Sequence, residues 1–313
     1  MVRTAIVYEV RESMDILEQI KAKWDFTTDL TAIKKGGQKS VYKSTVSDWG
    51  EVAVKVCTSC SERIVREIQI IQRLQTEKIA RILDIDYFKS NGEEYIVIIE
   101  EFIPGGSLQD YLTGNGKCSV NEMIDLLDFL LETIKMLEEN QIVHRDIKPD
   151  NIIRCENGSY KLIDFGIARD LKDVSLTATS DWSPFTPGYA APELFGSNAK
   201  ARIDSRTDLY SIGVVAYVMI KGSNPFLKPN ASIFEVCVST ATMQTPLLNE
   251  SNEYDIPMFK FVRSLMSREQ FKRPPSAKDA FEWFCKIRNQ RLEMISEEEE
   301  NAKVEEQMGD FLE

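Results

Sequence analysis

Apolar and polar positions divide the chain into stretches of different period. From Leu30 the sequence breaks into short β-branched runs, Leu30 to Lys35, Val41 to Ser47 and Glu51 to Cys57, separated by Gly36-Gly37 and by Asp48-Trp49-Gly50. Runs of this length between turn residues predict strands, here an antiparallel meander. Residues 61 to 76 change to a helical period, with Ile64, Ile68, Ile71 and Leu74 three or four positions apart and Ser61 as the N-cap candidate. Glu67 lies on or beside that apolar stripe. Two further strands are expected over Ile82 to Phe88 and Glu94 to Ile103, and Pro104-Gly105-Gly106 then breaks the pattern at a hinge.

Past the hinge the text turns helical. Asn121 to Asn140 carries Ile124, Leu127, Leu131, Ile134 and Leu137 on one face, and Arg206 to Lys221 is apolar nearly all round, the pattern of a buried helix. Before Leu30, residues 1–29 mix charged and apolar positions, and a helix bearing Met14, Leu17 and Ile20 is expected to pack on the first domain. The predicted fold is α+β: an N-terminal extension over 1–29, a small antiparallel β-sheet lobe with one helix over 30–103, a larger α-helical lobe over 104–286, and an acidic C-terminal tail over 287–313. No internal repeat is visible.

Composition narrows the function classes. A chain of 313 residues with 43% hydrophobic and 28% charged side chains can fill a core and cover its surface, which excludes global disorder. Its 50 acidic against 38 basic residues give a net charge of -12, so neither nucleic acid nor an anionic membrane is an expected partner. The acid is concentrated at the end, where residues 297–313 hold eight carboxylates against Lys303 alone. Such a run is read as a solvated tail, with docking of a basic partner as the alternative. Six scattered cysteines, no signal peptide and no apolar run of the ~20 residues a membrane helix needs point to a reducing, cytoplasmic setting. Cys57 and Cys60 form a single C-x-x-C, and with one histidine in the chain they cannot complete a usual zinc site.

That histidine opens His144-Arg145-Asp146-Ile147-Lys148-Pro149-Asp150-Asn151, directly after the long amphipathic helix. Within eight residues stand an Asp to accept a hydroxyl proton, a Lys to meet a transferring phosphoryl group and an Asn to hold a metal. Thirteen residues past Asn151, Asp164-Phe165-Gly166 follows the strand-like Tyr160 to Ile163 and adds a second carboxylate. One Asp and one Asn amide, completed by phosphate oxygens and water, suit the octahedral oxygen shell of Mg²⁺.

With these blocks in this order, residues 30 to 286 resemble the eukaryotic-type (Hanks-type) serine/threonine protein kinase family, which implies the bilobal protein kinase fold, ATP and Mg²⁺ as cofactors and protein substrates. Val52-Ala53-Val54-Lys55 resembles the family's third-strand motif, which implies that Lys55 holds the α- and β-phosphates and that Glu67 pairs with it. The same resemblance makes Asp146 and Lys148 the catalytic pair and Asn151 and Asp164 the metal ligands. It places Gly36, Gly37, Val41, Ala53 and Ile153 around the nucleotide, with the backbone of Glu101 and Ile103 toward adenine. Glu100 falls at the gatekeeper position, where a buried carboxylate needs a partner or a proton; a register one residue earlier puts Ile99 there instead.

Further resemblances concern the scaffold and its control. Ala191-Pro192-Glu193, Arg273 and Asp208 match structural residues of the family, and Lys148 with Thr186 matches its serine/threonine branch. Arg145 precedes Asp146 as in members switched by phosphorylation between Asp164 and Glu193, where Thr177, Thr179, Ser180 and Ser183 are the candidate acceptors and Thr186 is a structural residue of the substrate loop. The sequence departs from the family at Lys34-Lys35-Gly36-Gly37-Gln38-Lys39-Ser40-Val41, which keeps only the middle glycine of the phosphate loop and adds Gly37. That departure leaves a pseudokinase acting as a regulatory interaction module as the alternative to an active kinase. A small-molecule kinase would lack the Ala-Pro-Glu segment.

Overall fold

A computed structural model describes residues 15–35, 39–58, 62–74, 76–165, 169–170, 185–195, 203–248 and 252–310, with the backbone alone at 62–64, 66, 67, 169, 170 and 302–310. The chain forms two compact units, residues 1–106 with 153–166, and residues 107–152 with 167–313.

The first unit is built on an antiparallel sheet in the order β1-β2-β3-β5-β4, from β1 (Thr31–Lys35), β2 (Lys39–Val46), β3 (Gly50–Thr58), β4 (Ile82–Ser90) and β5 (Glu93–Glu101). Asn91 and Gly92 both have positive φ (53° and 79°) and close the β4–β5 hairpin in two residues, the turn whose twist matches the strands it joins. Side-chain alternation gives the sheet two apolar faces. Val52, Val54, Val56, Val97 and Ile99 share one core with Phe88, Ile20 and Trp24, while Ile96 and Ile98 pack with Ile68 on the other. Ile20 and Trp24 belong to α1 (Ile16–Lys23) and its C-cap, and Ile68 to α2 (Glu62–Leu74).

Residues ahead of the boundary drawn at 29/30 pack on this sheet. Ile20 is fully buried, Trp24 donates to Asp84 at 2.8 Å, and Phe26 bridges to Val46, so residues 16–26 are part of the sheet's core. The helix packing expected from Leu17 and Ile20 is present; Met14 and Ser61 lie outside the described residues. Residues past the boundary drawn at 103/104 group with this unit too. Pro104 to Gly106 stays with the first unit, as does the hairpin of β7 (Ile152–Arg154) and β8 (Tyr160–Leu162) apart from Ile152. Gly105, at φ 122°, passes so close to the backbone that a Cβ there would stand 2.0 Å from the carbonyl oxygen of Arg154. Only glycine fits both the dihedral and the approach.

The second unit is helical: α3 (Leu108–Asn115), α4 (Val120–Glu139), α5 (Ser205–Lys221), α6 (Ile233–Thr242), α7 (Ile256–Leu265) and α8 (Ala277–Asp310), with a short two-stranded ladder of β6 (Ile142–Val143) and β9 (Arg169–Asp170). Helices α3, α4 and α6 each begin with a reciprocal capping box, Ser107 with Asp110, Ser119 with Glu122 and Ser232 with Glu235. Helix α5 is buried from Thr207 to Met219, as its all-round apolarity requires.

The boundary drawn at 286/287 falls inside α8. Ile287 and Arg291 continue the buried stripe of Phe284, and the Arg291 guanidinium meets Asp255 at 2.6 Å with both side chains buried. The helical lobe therefore extends past the expected start of the tail. The exposed acidic run Glu297-Glu298-Glu299-Glu300 is helical. No helix among the described residues is long and apolar enough to cross a membrane.

Candidate active site

The segment after β6 is held by a carboxylate from α5. Asp208, fully buried, accepts the backbone N–H of His144 at 2.8 Å and of Arg145 at 2.7 Å. Arg145 has φ 70°, an unfavourable region for a residue that carries a Cβ, and the two hydrogen bonds hold the segment there. Burial pushes the Asp208 carboxyl up to about 7, opposed by those two N–H groups and by the charge of Arg145. The ring of His144 turns back on the same segment, its Nδ1 accepting the N–H of Asp146 at 3.3 Å.

These constraints present Asp146 to four donated hydrogen bonds. Thr186 Oγ1 donates to Oδ1 at 2.5 Å, Lys148 Nζ to Oδ2 at 2.7 Å, and Asn151 Nδ2 both to Oδ2 and to the Asp146 carbonyl at 2.9 Å. Lys148 Nζ also donates to Thr186 Oγ1 at 2.8 Å, which closes a triangle of Asp146, Lys148 and Thr186. Pro149 opens the 3₁₀ turn that carries Asn151, a position where its missing N–H costs nothing. The turn spends the amide nitrogen of Asn151 on Asp146. Its amide oxygen is the end that remains for a cation.

Thr186 is set by the turn that follows it. Its carbonyl accepts the N–H of Tyr189 and of Ala190, and Gly188, at φ 85°, packs where a Cβ would meet Leu227 at 2.8 Å. Downstream, Glu193 and Arg273 form a bidentate pair at 2.7 and 2.9 Å, with the guanidinium over the ring of Tyr210.

In the first unit, Lys55 on β3 reaches Glu100 on β5, Nζ to Oε1 2.6 Å, and both side chains are buried. The partner a buried Glu100 needs is thus Lys55. The side chain of Glu67, expected to pair with Lys55, lies outside the described residues, as do Gly36, Gly37, Thr177, Thr179, Ser180 and Ser183. Asp164, at φ 66°, accepts from Lys39 Nζ at 2.9 Å. Val41 stands opposite Lys55 in the β2–β3 register; Val41, Ala53, Glu101, Ile103 and Ile153 are all half-buried. Glu101 directs its carboxylate to Lys161 and to the backbone N–H of Arg81.

Comparison with known proteins meets this geometry: the profile of the protein kinase domain matches residues 28–284. The chain belongs to the protein kinase family. Several of the relatives it matches are named serine/threonine kinases. A probable serine/threonine-protein kinase PknB of Lactococcus lactis is 32% identical over 62% of this chain and 31% of its own length. Serine/threonine-protein kinase cds1 of Schizosaccharomyces pombe is 34% identical over 63% of this chain and 43% of its own. Serine/threonine-protein kinase pkn2 of Myxococcus xanthus is 29% identical over 79% and 31%. The chain thus spans between 31% and 43% of the length of these relatives. The sheet unit and the helical unit are the two lobes of the protein kinase fold.

Each unit carries a hard oxygen donor of the class that magnesium takes. Asn151 offers an amide oxygen and Asp164 a carboxylate, both hard oxygen donors, and Asp164 already neutralises a cationic group in Lys39. Among the described residues no cluster of three histidine, cysteine or carboxylate side chains could hold a softer metal. Cys57 is buried and forms no disulfide, and Cys60 lies outside the described residues.

Proposed function

We propose that this domain is an active serine/threonine kinase that transfers the γ-phosphoryl group of ATP to protein hydroxyls. The observation that carries the reading is the triangle of Asp146, Lys148 and Thr186. A carboxylate anchored by Asn151, and bonded on both oxygens, is fixed to orient an acceptor hydroxyl and take its proton. Lys148, one bond from that carboxylate, supplies positive charge beside the transferring group. Lys55 holds the α- and β-phosphates, and Asn151 and Asp164 hold magnesium, which when bound neutralises phosphate charge. The pairing of Lys148 with Thr186 supports the serine/threonine class. The pseudokinase alternative rested on the eroded glycine segment, and the set Lys55, Asp146, Asn151 and Asp164 supports turnover instead.

The same reading makes Val41, Ala53, Ile153 and the backbone of Glu101 and Ile103 the nucleotide's surroundings, and Gly36 and Gly37 its phosphate loop. Protein substrates, a cytoplasmic location and autophosphorylation between Asp164 and Glu193 belong to it, and a basic partner for the acidic end of α8 is part of the proposal.

Purified protein given radiolabelled ATP and magnesium, followed by mapping of the labelled residues, tests it. Phosphoserine and phosphothreonine are expected. Asp146→Ala should lower the rate by about 10²–10⁴-fold while Mg-ATP binding stays near the parent's. An Asp146→Ala protein as fast as the parent would overturn the assignment.

A further inference from the structure

Side chains on a strand alternate between faces, so Ala53, Lys55 and Cys57 on β3 lie on one face with Ile96, Ile98 and Glu100 on β5. The cross-strand register pairs Ala53 with Glu100 and Lys55 with Ile98, which makes Lys55 and Glu100 diagonal neighbours on the face that packs against α2 through Ile68. Their ion pair measures 2.6 Å, with side-chain exposures of 7% and 3%. At such burial each charge needs an opposite one close by, and each of the two supplies one for the other.

The two charges are carried by the adjacent interior strands β3 and β5, whose ladder runs from Val52↔Glu101 to Thr58↔Tyr95. Their separation is set by sheet register. A carboxylate on α2 depends on how that helix packs; one on β5 does not.

We propose that Glu100 is a positioning residue for Lys55, a strand-borne carboxylate that holds the ammonium group in place whatever the placement of α2. The inference rests on the kinase reading for its consequence at the phosphates and on geometry alone for the pair. Lys55 then owes part of its orientation to Glu100, and nucleotide binding depends on that carboxylate.

Two measurements test this. Calorimetric titration of Mg-ATP into the parent, Glu100→Gln and Glu100→Asp proteins should show affinity lowered about tenfold or more by Glu100→Gln and partly recovered by Glu100→Asp. A thermal-unfolding cycle of Lys55→Met, Glu100→Met and the double variant should show each single change lowering the midpoint, and the double change recovering much of the loss because no lone charge remains buried. Additive losses in the cycle would overturn the pair. Mg-ATP binding in Glu100→Gln as tight as in the parent would overturn the positioning role. A parent that binds no Mg-ATP sinks the kinase reading alone, and the unfolding cycle still decides whether Glu100 holds Lys55.

Discussion

Asp208 spends its carboxylate on two backbone N–H groups, and the pH dependence of that arrangement has a definite sign. An unfolded aspartate titrates near ~3.9, whereas burial raises the folded group to about 7. Between those values the folded chain keeps a proton that the unfolded chain has released. The contribution of Asp208 to stability is therefore greatest below pH ~4 and declines as pH rises to about 7. Urea midpoints at pH 5 and pH 7.5 should differ for the parent, and Asp208→Asn should lessen that difference even if it is less stable at both. An undiminished pH dependence in the variant would assign the titration elsewhere. At this scale the block from His144 to Asn151 is legible because its groups act within a few residues of one another. Lys39 on Asp164 was not, since 125 positions separate them and their meeting depends on how the first unit folds.

Helix α8 shows how an element can run past the point where its sequence appears to change character. The acidic run draws the eye to residue 297, yet Ile287 and Arg291 still occupy the buried stripe. Ending the chain after Lys286 removes both and strands Asp255 without its buried partner, a change expected to cost about 3–5 kcal/mol. Ending it after Asn301 removes no described contact of the core and should leave the unfolding free energy, from urea titration, within about 0.5 kcal/mol of the parent's. Equal stability of the two truncations would mean that the Arg291 pair contributes nothing. The Arg288–Asp128 pair is partly exposed and adds at most about 1 kcal/mol. Element positions elsewhere were readable, with α4 and α5 within a residue or so of their apolar stripes. The spacing of Ser107, Ser119 and Ser232 three residues before an acid was a readable start signal that periodicity alone passes over.

For the whole molecule, control is expected to pass through the segment between Asp164 and Glu193. A phosphate on Thr177, Thr179, Ser180 or Ser183 would add charge that a guanidinium such as Arg145 can pair. Mass spectrometry of active protein should find at least one of the four modified, and changing all four to Ala should lower the rate about tenfold or more. An unchanged rate would leave Arg145 without a regulatory role. The sequence by itself determined the division into a strand-rich and a helix-rich part, the order of the family blocks and the chemistry of the Asp146 segment, because periodicity and short motifs are local properties. Only the tertiary structure decided where the units end, that residues 16–26 complete the sheet's core, that α8 stays buried through Arg291, and that Lys55 meets Glu100. Those outcomes depend on strand register and on which faces pack together, and neither is set by residues near each other in the chain.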